Sequence, residues 1–152
     1  MIVFRLSKQK YSDDLTGTGA ELAGGRWNHK GARVLYTSDS RALCTAEIAV
    51  HTPIGLIPKD YILTTIEIPD ELKVELVKTE DLPENWRDFP YTGITQEIGG
   101  DFLNKGEFLI LKVPSAVVQG DYNYLINPDH KDFKRIKIKN KELFRFDERL
   151  FK

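Results

Sequence analysis

The sequence predicts an α+β fold, a single compact domain of mixed or antiparallel sheet with a few helices. Segments with strand character outnumber the one clear helix, and the two kinds of element do not alternate as they do in a doubly wound sheet. A chain of 152 residues is long enough to form one domain, residues 1–152, with a substantial core.

The first part of the chain is predicted to form two short strands separated by a loop. Residues Ile2–Leu6 and Arg33–Thr37 have strand composition. Between them, Ser7–Gly25 is polar and glycine-rich, which predicts a long loop or a broken helix. Loops of this length in a compact domain are usually functional.

The clear helix is predicted over Asp39–His51. Small polar residues at positions 38–40 can cap its start, and Pro53 lies just past its end. Because the helix is apolar on most sides, we expect it to be buried, with Glu47 where water is scarce. The apolar residues on the same face as Glu47 are Leu43, Ala46 and Val50.

The rest of the chain is predicted to be rich in strands. The strand candidates are Tyr61–Ile68, Glu71–Lys78, Phe108–Val113, Phe133–Lys139 and Leu143–Phe146. Leu82–Thr95 is predicted to be irregular and Ile98–Lys105 to be helical, although the pair Gly99–Gly100 suggests a turn. Asn127–His130 is also predicted to be a turn.

Composition excludes several classes of protein. The formal net charge of −1 argues against a protein that binds nucleic acid directly, because such proteins carry basic stripes. Cys44 is the one cysteine, so no internal disulfide can form and a cytoplasmic location is expected. The chain shows neither a signal peptide nor an apolar run long enough for a membrane span.

Glu47 is the first candidate for chemistry. A carboxylate on an apolar helix is costly to bury unless it is paired or functional. The structural alternative is a buried salt bridge, to Arg26 or to Arg41. Spacing alone does not choose between the two interpretations.

The block Gly24–Gly25–Arg26 and the nearby Tyr36 are candidates for ligand binding. Two glycines let a backbone approach a ligand closely. The planar fork of Arg26 suits a pyrophosphate or a carboxylate, and the ring of Tyr36 could face a heterocycle. The structural alternatives are a solvated turn for Arg26 and a core position for Tyr36.

Other catalytic classes lack their motifs. Ser115 follows a strand but has no Gly-x-Ser-x-Gly elbow around it, which argues against a serine hydrolase. His29, His51 and His130 are scattered without metal-ligand spacing, so no metal site is expected. The sequence has no phosphate-binding loop and no dinucleotide fingerprint.

Seven segments, in order along nearly the whole chain, resemble the RES domain family. They are Phe4–Leu6, Gly24–Asn28 with Gly31, Val34–Ser38, Ala46–Glu47, Val113–Val117, Asn123–His130 and Phe146–Leu150. Members of that family are toxins of bacterial toxin–antitoxin pairs. Their fold resembles that of ADP-ribosyltransferases, and they consume NAD+.

The resemblance implies which residues act on NAD+. Arg26, Tyr36, Glu47 and Ser115 fall on the active-site positions of the family, and Arg5 is a further candidate for binding NAD+. NAD+ would be the substrate, with no separate cofactor. Asn123 and Asn127 are interpreted as turn residues.

These residue types suit cleavage of the bond between ribose and nicotinamide. The nicotinamide leaves as a neutral molecule and needs no proton, so one carboxylate can suffice where a glycosidase needs two. We expect Glu47 to hold the ribose hydroxyls and stabilise the oxocarbenium ion, and Tyr36 to stack on the nicotinamide. Arg26 would hold the pyrophosphate, and Ser115 would offer a hydroxyl to the nicotinamide amide or the ribose.

The sequence leaves the acceptor and part of the function open. Water, phosphate or a protein side chain can each take the ADP-ribosyl group, so the chain is a hydrolase, a phosphorylase or an ADP-ribosyltransferase. The alternative from another class is a module that binds a nucleotide without turnover. The resemblance also implies a cognate antitoxin with a helix-turn-helix domain that blocks the active site, and it leaves a homodimer open.

Overall fold

The structure, a computed structural model, describes residues 1–152 as one seven-stranded sheet with three helices. The strands are β1 (Ile2–Lys8), β2 (Leu35–Ser38), β3 (Tyr61–Glu67), β4 (Val74–Leu76), β5 (Ile110–Pro114), β6 (Tyr122–Ile126) and β7 (Lys137–Phe144). The helices are α1 (Thr18–Ala23), α2 (Arg41–His51) and α3 (Ile94–Lys105). Short 3-10 turns lie at Gln9–Tyr11, Thr79–Asp81, Phe133–Arg135 and Glu148–Phe151.

The sheet has the strand order β4-β5-β6-β2-β1-β3-β7. Neighbouring strands are antiparallel except β4 and β5, which are parallel. The predicted α+β class with a mixed sheet is therefore confirmed. No helix of the structure has the length and apolarity needed to cross a membrane.

The middle of the sheet is covered on both faces. Ile110 and Leu111 are consecutive on β5, yet each is buried in a different apolar cluster. Leu125 and Ile126 on β6 divide between the clusters in the same way. Successive side chains of a strand point to opposite faces, so the two clusters are the cores on the two sides of the sheet.

Helix α2 differs from the predicted helix in its burial. It begins at Arg41, and the Ser40 side chain caps it by accepting a hydrogen bond from the backbone N–H of Leu43 at 3.0 Å. Only Leu43 and Cys44 of the helix are buried, while Val50 is 57% exposed. The expectation of a helix buried on most sides is wrong because much of its apolar surface lines an open cleft.

The strand predictions fail in three places, and only in one of them, at β7, is weak burial the reason. Phe133–Lys139 and Leu143–Phe146 are not two strands but a 3-10 turn followed by the single strand β7. β7 is an edge strand with little burial on either side, so alternation is weak there. Glu71–Lys78 contains only three strand residues, and Tyr122–Ile126 was not predicted as a strand.

The pair Gly99–Gly100 lies inside α3, so the predicted turn is wrong. A Cβ atom added at Gly99 would lie 1.6 Å from the backbone oxygen of Trp27. The glycine therefore allows α3 to pack directly on the main chain next to Arg26. Nothing lies within 4 Å of the corresponding position at Gly100.

Candidate active site

A cleft of about 780 Å³ opens between β1, β2, α2 and the segments at residues 24–27 and 89–91. Four of the five residues selected from the sequence line it: Arg5, Arg26, Tyr36 and Glu47. The fifth, Ser115, does not line the cleft but hydrogen-bonds a residue that does. The structure therefore brings together residues that are up to 110 positions apart in sequence.

Glu47 extends from α2 into the cleft and is held by one of its two oxygens. Its Oε1 accepts a hydrogen bond from Ser115 Oγ at 2.9 Å and another from Asn123 Nδ2 at 2.7 Å. No group of the chain donates a hydrogen bond to Oε2. One carboxylate oxygen is thus fixed by the protein and the other is free for a ligand.

The salt bridge that was the structural alternative for Glu47 is not formed. Arg41 is paired instead with Glu142, at 2.9 Å. Arg26 donates to backbone carbonyls rather than to Glu47. The hydrogen-bond partners of Glu47 are neutral donors, and no cation forms a salt bridge with its carboxylate.

Ser115 lies just beyond β5 and is only 1% exposed. Its Oγ accepts hydrogen bonds from the backbone N–H groups of Val117 at 3.1 Å and Val118 at 3.0 Å. The hydroxyl hydrogen is directed at Glu47, so Ser115 is placed behind the carboxylate. This arrangement differs from the expected contact between the hydroxyl and a substrate.

Arg26 lies against the irregular segment before α3. Its Nη1 donates to the carbonyl oxygens of Trp86 at 2.7 Å and Asp88 at 3.2 Å. The guanidinium lies 5.0 Å from the centre of the Tyr91 ring, in cation–π contact. Burial lowers the pKa of Arg26, yet an arginine stays charged at neutral pH, so its remaining N–H groups can bind an anion.

Tyr36 is held by its hydroxyl. Oη donates to Asn28 Oδ1 at 2.6 Å and accepts from the backbone N–H of Trp27 at 3.1 Å. Burial raises the pKa of Tyr36, so the phenol stays neutral at physiological pH. The two hydrogen bonds fix the ring at the wall of the cleft.

The surroundings of Gly25 show why a glycine directly precedes Arg26. A Cβ atom at Gly25 would lie 2.7 Å from Tyr36 Oη and 3.0 Å from Asn28 Oδ1. Its absence leaves room for the tyrosine hydroxyl. The close approach inferred from the sequence is therefore made by a side chain of the protein itself. Gly24, at φ +71°, ends α1 in a conformation that few other residues adopt.

Arg5 lies between the cleft and a second, smaller cavity of about 400 Å³. Its Nη1 donates to Ser7 Oγ at 3.1 Å and to the carbonyl oxygen of Tyr11 at 3.3 Å. Burial lowers the pKa of Arg5, and the nearby Asp14 opposes that shift. A second guanidinium group therefore lines the cleft in addition to that of Arg26.

Asn123 was assigned to a turn from the sequence, but it lies on β6 and donates to Glu47. Ser38, directly opposite on β2, donates to it in turn. Sequence reasoning missed both residues because β6 itself was missed. The polar residues within Tyr122–Ile126 could have indicated a site-facing strand once its strand character was recognised.

The cleft therefore combines one carboxylate oxygen without a partner, two half-buried guanidinium groups and several aromatic rings. Such a set suits a ligand with both phosphate groups and a ring. No three His, Cys, Asp or Glu side chains lie close enough together to hold a metal ion.

Comparison with known proteins shows which family this chain is similar to. The RES domain family model matches residues 2–147. A protein of Yersinia enterocolitica named Toxin Res is 38% identical over 152 residues, 99% of each chain. The Prs ADP-ribosylating toxin of a Sphingobium species is 36% identical over 143 residues, 93% of this chain and 89% of the relative.

The fold also matches a solved structure. A chain in the crystal structure of the M. tuberculosis MbcT–MbcA toxin–antitoxin complex superposes with a TM-score of 0.73 at 20% identity. The match covers 95% of this chain and 84% of that one, and it supports the fold alone. Because the family model spans nearly all of the sequence and two relatives exceed 30% identity over nearly its full length, this chain belongs to the RES domain family.

Proposed function

We propose that this chain is the toxin of a bacterial toxin–antitoxin pair and that it acts in the cytoplasm by cleaving NAD+ at the nicotinamide–ribose bond. The assignment as a toxin is supported by relatives that are named as toxins and that match nearly the full length of this chain. One observation supports the second: Glu47 presents an unpaired carboxylate oxygen in the same cleft as Arg26 and Tyr36.

Cleavage of the nicotinamide–ribose bond requires a negative charge near the ribose rather than a general acid. The C1′–N bond breaks with its electron pair going to the pyridinium nitrogen, so nicotinamide leaves neutral while positive charge develops on the ribose. A fixed carboxylate next to that carbon stabilises the transition state more than the ground state. Oε2 of Glu47 is available for this task, because both internal hydrogen bonds go to Oε1.

The other residues of the cleft bind and orient NAD+. Arg26 has N–H groups left for the pyrophosphate, and Arg5 adds a second cation to the lining of the cleft. The ring of Tyr36 stacks on the cationic nicotinamide. Ser115 acts through Glu47, which it holds in position, rather than by touching NAD+.

The acceptor of the ADP-ribosyl group decides the product. Water gives ADP-ribose and a proton, phosphate gives a phosphorylated ADP-ribose, and a protein nucleophile gives a modified protein. The Sphingobium relative is named Prs ADP-ribosylating toxin. That name supports transfer to a protein as a second candidate beside hydrolysis or phosphorolysis.

Incubation of the purified protein with NAD+, with and without phosphate, tests the proposal. We expect release of nicotinamide, and mass spectrometry of the second product identifies the acceptor. Addition of a cell lysate tests for a protein acceptor. If no nicotinamide appears in any of the three mixtures and the folded protein binds NAD+ unchanged, the chain is a nucleotide-binding module.

We also propose a cognate antitoxin with a helix-turn-helix domain that covers the cleft. The structural relative was solved as a toxin–antitoxin complex. Phe89 and Val50 line the cleft here and are 75% and 57% exposed, so apolar side chains are available to a partner at its rim. We expect the complex to lose NAD+ binding. A complex that binds NAD+ as well as the free chain does would contradict this part.

A further inference from the structure

We propose that Asn123 is a positioning residue for Glu47 and that Ser38 fixes the orientation of the Asn123 amide. The inference rests on the proposed function, because it concerns how the carboxylate is prepared for NAD+. It adds to the site two residues that act through Glu47.

The three side chains form one continuous line of hydrogen bonds. Ser38 on β2 and Asn123 on β6 are directly paired in the antiparallel register of the sheet. Ser38 Oγ donates to Asn123 Oδ1 at 2.7 Å, and Asn123 Nδ2 donates to Glu47 Oε1 at 2.7 Å. The rigid strand pairing therefore connects the sheet to a carboxylate on α2.

Hydrogen-bond chemistry allows only one orientation of the Asn123 amide here. The ionised carboxylate of Glu47 can only accept, so the amide nitrogen must face it. The amide oxygen then faces Ser38, whose hydroxyl can donate. A flipped amide would place two acceptors, Oδ1 and Oε1, against each other. Ser38 is 5% exposed, so water has little access to replace its hydroxyl.

The geometry also explains which carboxylate oxygen is left for the substrate. Asn123 approaches Glu47 from β6 and Ser115 from the turn after β5, and both donate to Oε1. Two donors on one oxygen restrict rotation of the carboxylate and leave Oε2 without a partner. A group held in this way does not have to reorient when positive charge develops on the ribose.

The test compares variants of the purified full chain in the nicotinamide-release assay. Removing a hydrogen bond to a charged group commonly costs about ten- to a hundredfold in rate, so we expect Asn123→Ala to lower kcat by about that factor. KM for NAD+ should change little, because the amide acts on Glu47 rather than on the ligand. Asn123→Asp should be at least as impaired despite its shape, because its carboxylate cannot donate.

Ser38 is tested by its coupling to Asn123. Ser38→Ala should lower kcat, and Ser38→Thr, which keeps the hydroxyl, should retain more activity. If Ser38 acts only through Asn123, the double variant Ser38→Ala, Asn123→Ala should be no slower than Asn123→Ala alone. Additive losses would overturn the role given to Ser38.

Asn127→Ala is the matched control for stability. Asn127 follows β6, is 2% exposed and accepts a hydrogen bond from the backbone N–H of Asp129 at 3.0 Å, away from the cleft. It should lower the melting temperature without lowering kcat. An active wild type with an equally active, folded Asn123→Ala overturns the positioning role alone. A folded wild type that releases no nicotinamide overturns the proposed function and this inference with it.

Discussion

The Ser115 hydroxyl donates a hydrogen bond to Glu47 Oε1 at 2.9 Å. The same oxygen accepts hydrogen bonds from the backbone N–H groups of Val117 at 3.1 Å and Val118 at 3.0 Å. The serine therefore joins the turn after β5 to the carboxylate in the cleft. Two residues that the sequence assigned to separate contacts with NAD+ form one unit. The serine holds the carboxylate in position, and the carboxylate faces the cleft.

This relationship predicts a double effect of Ser115→Ala. Loss of the acceptor leaves two backbone N–H groups unpaired, so unfolding free energy should fall by about 1–3 kcal/mol. Loss of the donor should lower kcat about tenfold or more with little change in KM. Ser12→Ala is the control, because Ser12 is also buried and bonds only the Gln9 carbonyl. A raised KM with normal kcat would restore the expected direct contact with NAD+.

Two adjacent glycines in α3 should respond to alanine in opposite directions. Gly99→Ala would place a Cβ atom 1.6 Å from Trp27 O, so the helix must shift, at a cost of about 1–3 kcal/mol or more. Gly100→Ala meets no neighbour within 4 Å and should stabilise the helix by about 0.5–1 kcal/mol. Denaturant unfolding measures both. Equal effects of the two substitutions would contradict the close packing of α3 on residue 27.

Arg26→Lys tests whether the planar guanidinium binds the pyrophosphate. Lysine keeps the charge but loses the fork, so KM for NAD+ should rise about tenfold while kcat changes less. Arg87→Lys is the control on the segment that Arg26 contacts, since Arg87 stacks on Trp86 and does not line the cleft. A fall in stability with unchanged KM would mean that Arg26 only anchors residues 86–88.

Cys44 makes a prediction about alkaline pH. Burial raises the pKa of its thiol from 9.0 to about 11. The folded chain then holds the thiol proton over a range where the unfolded chain has released it. The stabilisation is therefore complete below about pH 9 and is lost as the pH rises through about 11.

The loss should be about 2 kcal/mol, measured as the difference between wild type and Cys44→Ala in denaturant melts at about pH 8 and about pH 11. Taking the difference removes the titration of lysines and tyrosines. If wild type and Cys44→Ala lose the same amount of stability over that range, burial does not raise the pKa of the Cys44 thiol.

The sequence predicted the residues that carry charge and aromatic rings better than it predicted their surroundings. Helix α2 was located because Ser40 and Pro53 mark its ends, and Glu47 was conspicuous among its apolar neighbours. Its exposure was predicted wrongly, since an apolar helix face looks the same whether it meets a core or a cleft. The segment Trp86–Tyr91, which contacts Arg26, showed no periodicity from which its place could be inferred.

Long-range pairing explains the remaining differences. Ser38 meets Asn123 only because β2 and β6 are neighbours in the sheet, and strand order is not encoded in local patterns. Gly25 and Gly99 were visible as glycines, but their reasons, the hydroxyl of Tyr36 and the carbonyl of Trp27, required the fold. The resemblance to a family selected the site residues, and the structure separated those that line the cleft from the one behind it.

Glu47 is proposed to stabilise positive charge on the ribose, and the substitution Glu47→Gln tests this role. The change keeps the shape and removes the charge. Loss of one aimed electrostatic group commonly costs about 10²–10³-fold in turnover, so nicotinamide release should fall by that factor. Binding of NAD+, measured by calorimetry, should change far less, because the group acts mainly in the transition state.

Glu142→Gln is the matched control. Glu142 is a carboxylate on β7 that pairs at the protein surface with Arg41, which lies on the same helix as Glu47. It should leave turnover unchanged. The decisive measurement is therefore the rate of nicotinamide release per folded molecule, with a thermal melt of the same sample. We expect a large loss of rate in Glu47→Gln with an unchanged or higher melting temperature. A lower melting temperature with near-normal turnover would contradict this expectation.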